Sequence, residues 1–426
     1  CVFYDIPLED KILSITASLG HILDLKTEGG FFGVLEENGM FLGIWDTIKR
    51  CRKTGEQHTE IEYLRKACKD GEIIDKFSTV QALRRVSYEV DEVFVATDPD
   101  AEGEKIAYDI YALISPFNKR IYRAEFHEVT PKAFIEALKE MREFNVNRVK
   151  AQITRRIADR WVGFTLSRIL WRVFGRNDLS AGRVQTPVLG WVIERHMEYK
   201  KKVDKVVLNF GTNEISFLVE NKPVAYEMAS NPSKIRVMWG KEWEEEKNPP
   251  PPYTTDTILQ DSRLPADKTM DILQELFERG FITYHRTDST RVSDFGKFSV
   301  AKPIIAKDFG EEMFYPRSWG SEGAHECIRP TRPIKPNELR LMISLGSVEF
   351  NDPKNALRIY TLIFNRFIAS QMRSAKVKVA EVIVLFDAFA HIEEVVREIL
   401  QDGYNLVLPN IRVWEGELEV KDVRFL

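Results

Sequence analysis

Tyr284 stands in the run Gly280-Phe281-Ile282-Thr283-Tyr284-His285-Arg286-Thr287-Asp288-Ser289, two residues before Arg286 and just after a helical pattern that ends at Gly280. A phenol titrates near pH 10, so to attack phosphorus it needs a cationic neighbour or a base. Arg286 offers a fixed charge and a fork that matches two phosphate oxygens. Upstream, Asp98-Pro99-Asp100-Ala101-Glu102-Gly103-Glu104 sets the carboxylates of Asp98, Asp100 and Glu102 at alternate positions. If the chain stays extended there, they share one side and suit a hard cation such as Mg²⁺. Each feature also has a structural reading: a half-buried tyrosine, and an aspartate capping a helix start. Carboxylates packed this closely repel one another without a cation, which favours the metal. Together the two motifs imply metal-assisted chemistry on a nucleic-acid phosphodiester through a covalent tyrosine intermediate.

Two other segments could serve such a site. The run 323–331 carries His325 and Arg329, but nothing in the spacing brings His325 near Tyr284, and a lone histidine is more often structural. The small-residue loop 179–187 enters a helix whose first N–H groups could meet an anion; a loop that binds nothing fits equally well. The net charge of −4 excludes a protein coated in basic residues. Locally, however, thirteen Lys and Arg face Asp159, Asp178, Glu194 and Glu198 across 145–202. That excess suits a phosphate-binding surface, with a solvated helical face as the alternative.

The elements that must position these residues are partly legible. A chain of 426 residues exceeds one compact core, so two to four domains are expected. No apolar run reaches the roughly 18 residues of a membrane span, and the N-terminus lacks a signal-peptide pattern. A strand over 92–96 runs into the acidic cluster, and Ile106, Ile110, Leu113 and Ile114 mark a helix after it, closed by Pro116. Residues 149–173 read as one long helix or two consecutive ones. A further helix starts near Thr186, with Val188, Leu189, Val192 and Ile193 inward, and dissolves into Lys200, Lys201 and Lys202. Segments 206–210 and 214–219 form a hairpin, and the acids of 242–246 with the prolines of 249–252 mark a boundary. Helical spacing follows to Gly280, and strands return over 377–386, 406–408 and 417–425. A β region split by a helical insertion accounts for that order. Cys1, Cys51, Cys68 and Cys327 are scattered, so free thiols in a reducing compartment are expected rather than disulfides. Cys51 and Cys68 lie in a charged insertion over about 46–77 with His58, short of the four ligands a zinc ribbon needs. Charged residues make up 30% of the chain with both signs nearly balanced, compatible with the ion-pair networks of thermophile proteins.

In this order the motifs resemble those of type IA DNA topoisomerases. The acidic run resembles the toprim motif of that family, and Phe126-His127-Glu128-Val129-Thr130 the strand after it. The run 155–160 and the loop 180–187 resemble its helical DNA-contacting domain, and 251–255, the tyrosine run and 325–331 its central and active-site domains. Details around Tyr284 and the insertion lean toward the topoisomerase half of reverse gyrase. The resemblance implies a multidomain toroidal architecture: a toprim-like α/β domain (1–143), a helical DNA-binding domain (144–202), a split β domain (203–253 and 376–426) and an inserted active-site domain (254–375). It implies that Tyr284 takes a 5′ phosphate from single-stranded or underwound DNA, Arg286 stabilises it and His325 assists. Asp98, Asp100 and Glu102 would bind Mg²⁺, chiefly for strand passage and religation, while Arg155, Arg156, Asp159, Arg183 and Gln185 position the strand. A cytoplasmic, nucleoid-associated monomer that binds no membrane is implied.

The departures set further expectations. The family's toprim glutamate and lysine are expected before Cys1, and the β domain should return to the helical base beyond Leu426. No Walker motif occurs, so ATP would be handled by a helicase-like ATPase half in the parent, where Cys51 and Cys68 could be zinc ligands. The chain is therefore expected to be part of a longer enzyme. The competing functions are a DNA-binding fragment without turnover and a toprim-type nuclease or primase, which needs no tyrosine nucleophile.

Overall fold

The computed structural model describes all residues except 1–3, 9–10, 19, 52, 55, 69–71, 202–203, 220–221 and 321–324. Expectations touching Cys1, Lys202, Gly323 and Ala324 lie outside the described residues. Two compact units emerge: Cys1–Phe126 with Pro131–Tyr199, and His127–Thr130 with Lys200–Leu426. Among the described residues no helix is long and apolar enough to cross a membrane.

In the first unit, β1 (Tyr4–Leu8) and β2 (Lys11–Ile15) form an antiparallel hairpin, and β3 (Leu23–Leu25) leads to a second one, β4 (Val34–Glu37) with β5 (Met40–Gly43). Strand β6 (Trp45–Thr47) then returns to pair with β3. The insertion follows as β7 (Lys49–Cys51), β8 (Gln57–His58), α1 (Ile61–Ala67) and β9 (Ile73–Asp75), in sheet order β8-β7-β9. After α2 (Lys76–Glu89), β10 (Val93–Ala96), α3 (Ala101–Ile114) and β11 (Ile121–Ala124) make a parallel β-α-β crossover. Its core is Ile22, Val80, Val95, Ala107, Ile110 and Ile114. Then come α4 (Pro131–Lys139), α5 (Val146–Phe174) and α6 (Gln185–Tyr199). Helix α5 is a single helix, started by the Asn145 side chain accepting from the N–H of Arg148 and stopped by Gly175 at φ 64°.

Two expectations are corrected here. Cys51 and Cys68 are joined as a disulfide, so they are neither free thiols nor zinc ligands. The fold puts the end of β7 against the end of α1, and the two half-cystines with Leu64 and Ile73 form the small core of the insertion. His58, the third ligand considered, stacks on Tyr63 at 4.3 Å between ring centroids. On α6, Val188, Leu189, Val192 and Ile193 are exposed, because no described element of this unit covers that face.

The second unit starts with the hairpin β12 (Lys205–Asn209) and β13 (Glu214–Leu218), then α7 (Lys222–Ser230) and the long β14 (Arg236–Lys247). Helices α8 (Thr255–Ser262), α9 (Ala266–Glu278), α10 (Lys302–Phe309), α11 (Pro336–Ser344) and α12 (Pro353–Ser370) follow. The chain then makes β15 (Ala375–Phe386), β16 (Phe389–Gln401) and β17 (Asp422–Phe425). Strands β14-β15-β16 form one antiparallel sheet and β13-β12-β17 another. The acidic run 242–246 is therefore no boundary. It lies inside β14, where cross-strand pairs Glu242–Lys378 (2.6 Å) and Glu244–Lys376 (2.5 Å) neutralise its acids. Residues 404–406 form a 3₁₀ turn rather than a strand, and the last strand is confined to Asp422–Phe425.

The small core of the insertion makes the disulfide its main constraint. Closing a loop of 17 residues removes chain entropy worth about 3 kcal/mol. Reduction is expected to speed amide hydrogen exchange over β7 to β9 by about a hundredfold while leaving β10 and α3 protected. Equal exchange in both redox states would refute this.

Candidate active site

The acidic loop leaves β10 and enters α3. Asp100 caps the helix, its Oδ1 accepting from the N–H of Gly103 (2.7 Å). Only glycine fits at 103: a Cβ there would lie 2.1 Å from the Asp98 carbonyl oxygen. Because the helix begins at Ala101, the chain does not stay extended through the motif, and Glu102 belongs to the first helical turn. The expectation that alternation aligns Asp98, Asp100 and Glu102 on one side is corrected accordingly. Glu102 meets the imidazole of His21 at 2.9 Å. Among the described residues no three His, Cys, Asp or Glu side chains are grouped to hold a metal ion. The donor chemistry still suits a hard cation: carboxylates concentrated at a strand end and helix start.

The residue of this motif that sequence reasoning passed over is Glu104. It is fully buried, and its carboxylate accepts from Arg123 (3.2 Å), from Arg142 (2.6 and 3.0 Å) and from the N–H of Asn145 (2.6 Å). Burial pushes its pKa up, but the Arg142 and Asn145 hydrogen bonds and the two guanidinium charges win and hold it at about 2. Arg123, equally buried, donates in turn to the carbonyls of Val95 (3.2 Å), Thr97 (2.8 Å) and Asp98 (2.8 Å). The guanidinium thus fixes the backbone that carries the acidic loop. An acid three residues into a helix with no visible partner was the available signal.

On α5 and the loop before α6, Asp159 gathers two arginines: Arg183 at 2.7 Å and Arg155 at 3.6 Å. Gln185 donates to Ser180 (3.2 Å), bracing the loop. Arg156 turns elsewhere and grips Asp24 of β3 with two bonds of 2.9 and 2.6 Å. Burial raises the Asp24 pKa, and Arg156 with Arg160 more than reverses that. Asp159 therefore brings Arg155 and Arg183 together, Gln185 braces the loop that carries Arg183, and Arg156 ties α5 to β3.

In the second unit, α9 buries Ile272, Leu273, Leu276 and Phe277 and ends at Gly280, φ 71°. A Cβ at Gly280 would stand 2.2 Å from the Val129 carbonyl oxygen. The next residues pair with 327–331: the Thr283 N–H donates to the Arg329 carbonyl (2.9 Å), and its hydroxyl to the Cys327 carbonyl (2.7 Å). The Tyr284 N–H donates to the His127 carbonyl (2.8 Å). Tyr284 is only 3% exposed, its ring edge-to-face with Phe277 at 5.3 Å. A small recess is lined by His127, Thr283, Tyr284, Thr287, His325 and Glu326. The fold thus does what spacing could not foretell and brings His325 to Tyr284. Arg286 is exposed and does not line that recess. The buried arginine is Arg329, held by Glu326 (2.6 Å) and Glu128 (3.5 Å), whose charges outweigh burial and keep it protonated. Burial pushes the Cys327 thiol far up, which excludes it as a second nucleophile.

A toprim domain model matches residues 8–129 and a DNA topoisomerase model residues 143–422. Reverse gyrase 2 of Aquifex aeolicus is 57% identical over all of this chain and 37% of its own length. Reverse gyrase of Pyrococcus furiosus is 44% identical over 96% of the chain and 34% of its own. The chain thus spans about a third of these relatives. Full-length topoisomerase I from Thermotoga maritima superposes with a TM-score of 0.69 at 31% identity, over 96% of this chain and 67% of that one.

Glu104→Ala is expected to cost about 3–5 kcal/mol of stability, because it strands Arg123 in the interior. The Glu104 pKa is depressed from 4.5 to about 2. Its contribution is therefore full above pH 4.5 and falls away as pH drops toward 2. Denaturant unfolding across that range should show this acid-labile component in the parent and lack it in Glu104→Gln.

Proposed function

Because the chain belongs to the type IA DNA topoisomerase family, we propose that it carries that family's strand-cutting chemistry, with Tyr284 as the nucleophile. The observation that carries this reading is the recess joining Tyr284 to His325, built by three segments separate in sequence. In the reaction the Tyr284 oxygen bonds to phosphorus and keeps the 5′ phosphate, while the 3′ oxygen leaves as a hydroxyl. A phosphotyrosine preserves the bond energy for religation, so cutting and rejoining need no ATP. Arg286, exposed beside the nucleophile, reaches out to the phosphate, and His325 acts from inside the recess. Asp98, Asp100 and Glu102 would hold Mg²⁺, which supplies positive charge against DNA phosphate when bound. Around Asp159, Arg155 and Arg183 with Gln185 contact the single strand, and Arg156 secures the helix that presents them.

The likeness to reverse gyrases supports a longer parent in which a helicase-like ATPase half couples ATP to positive supercoiling. In that reading the chain divides as a toprim-like domain (1–143), a helical DNA-contacting domain (144–202), a split β domain (203–253 and 376–426) and the tyrosine domain (254–375).

Incubation with a single-stranded oligonucleotide, followed by denaturing electrophoresis, tests the chemistry. The expected product is protein joined to the 5′-phosphate fragment, absent from Tyr284→Phe. Cleavage without an adduct would point to a toprim nuclease, and binding without cleavage to a DNA-binding fragment. Reversing the charges of Arg155 and Arg183 is expected to reduce the slope of log affinity against log salt by about one per lost phosphate contact. An unchanged slope would remove them from the DNA surface.

A further inference from the structure

The segment His127–Thr130 belongs to the same compact unit as Tyr284, and three contacts bind it to the tyrosine loop. The His127 carbonyl takes the Tyr284 N–H (2.8 Å), Glu128 reaches buried Arg329 (3.5 Å), and the Val129 carbonyl lies against Gly280 so closely that no side chain fits. This tight seat gives the His127 ring a defined place: it lines the recess beside Tyr284 and stands edge-to-face with His325, centroids 5.6 Å apart. On His325 the buried Nδ1 has no hydrogen-bond partner among the described residues. A buried polar nitrogen without a partner is costly in the resting protein and is relieved when a ligand oxygen arrives. Two imidazoles lining one recess with a phenol suit an oxyanion, since each ring can donate a charge-assisted bond when protonated.

We propose that His127 is a catalytic residue of the cleavage step, donating a hydrogen bond to a nonbridging oxygen of the phosphate that Tyr284 attacks, beside His325. The inference rests on the reading of Tyr284 as nucleophile. In the step the bond from the Tyr284 oxygen to phosphorus forms and the bond from phosphorus to the 3′ oxygen breaks. The phenol gives up one proton and the 3′ oxygen gains one. His127 exchanges none, and its bond strengthens as negative charge gathers on the phosphate oxygens. Its backbone carbonyl meanwhile holds the nucleophile's own N–H, so ring and phenol are set by one short piece of chain.

The test is single-turnover cleavage of an oligonucleotide, comparing a natural scissile phosphate with both methylphosphonate diastereomers, in which one nonbridging oxygen is replaced by methyl. With the natural diester, His127→Ala is expected to cleave about ten- to a hundredfold slower than the parent. With the diastereomer lacking the contacted oxygen the two proteins should cleave at equal rates, the penalty returning with the other. His127→Gln keeps a donor and the backbone carbonyl and should recover part of the rate; it replaces the alanine variant if that one fails to fold. An equal penalty on all three substrates means a structural role and overturns the proposal, as does no penalty on the diester. Adduct formed by the His127 variants at the rate of the unaltered protein sinks this inference alone. No adduct from the unaltered protein sinks the Tyr284 reading with it.

Discussion

A guanidinium taken out of water is expensive to bury unless its donors all find acceptors, and each unit of this protein is organised around one that does. Arg123 is fully buried and divides its donors between the Glu104 carboxylate and carbonyls at the end of β10. Arg329, 3% exposed, divides its donors among Glu326, Glu128 and the Pro330 carbonyl. The fork geometry matters more than the charge. A lysine could neutralise the carboxylates but could not bond several backbone oxygens in fixed directions at once. What each arginine holds is a bend in irregular chain next to a candidate reactive group: the acidic loop in one case, the crossing of the 281–284 and 327–331 segments in the other. Irregular backbone has few partners of its own, so a buried fork supplies the rigidity a ladder would give elsewhere.

This division explains what was legible in the sequence. Strand β10 and the helix after the acidic loop, the helical character of 149–173, the 206–218 hairpin and α9 follow from apolar spacing and from terminators such as Gly280, whereas the next strand is Ile121–Ala124 and not the expected 126–130. Strand β16 was not legible, because its charged residues Glu393, Glu394, Arg397 and Glu398 sit on a sheet that none of its side chains fully enters. The acidic run of β14 misled for a related reason: its partners, Lys376 and Lys378, lie more than a hundred residues away. The disulfide was hidden because seventeen residues separate its cysteines and only the packing of α1 on β7 brings them together. In the candidate site, residue types singled out Tyr284 and its neighbouring arginines, while pairing was invisible. Neither the approach of His325 nor the exposure of Arg286 beside the burial of Arg329 could be read from one dimension.

The burial of Tyr284 bears on how such a site would work. A phenol packed against Phe277 and closed in by Thr283, Thr287 and the two histidines cannot meet a DNA strand in this state. On the proposed chemistry, cleavage would require the recess to open, and the apparent affinity for a scissile strand would scale with the fraction of molecules that are open. The same enclosure has a use once the bond is made. A proposed phosphotyrosine shielded by these side chains would meet the 3′ hydroxyl that re-forms the strand more readily than it meets bulk water. Hydrogen bonds from Thr283, Thr331 and the Tyr284 N–H hold the loop's backbone in place. On the proposed chemistry, a backbone fixed in this way would let a covalent intermediate form and reverse at one position, with the scaffold rather than the nucleophile setting where the strand is rejoined.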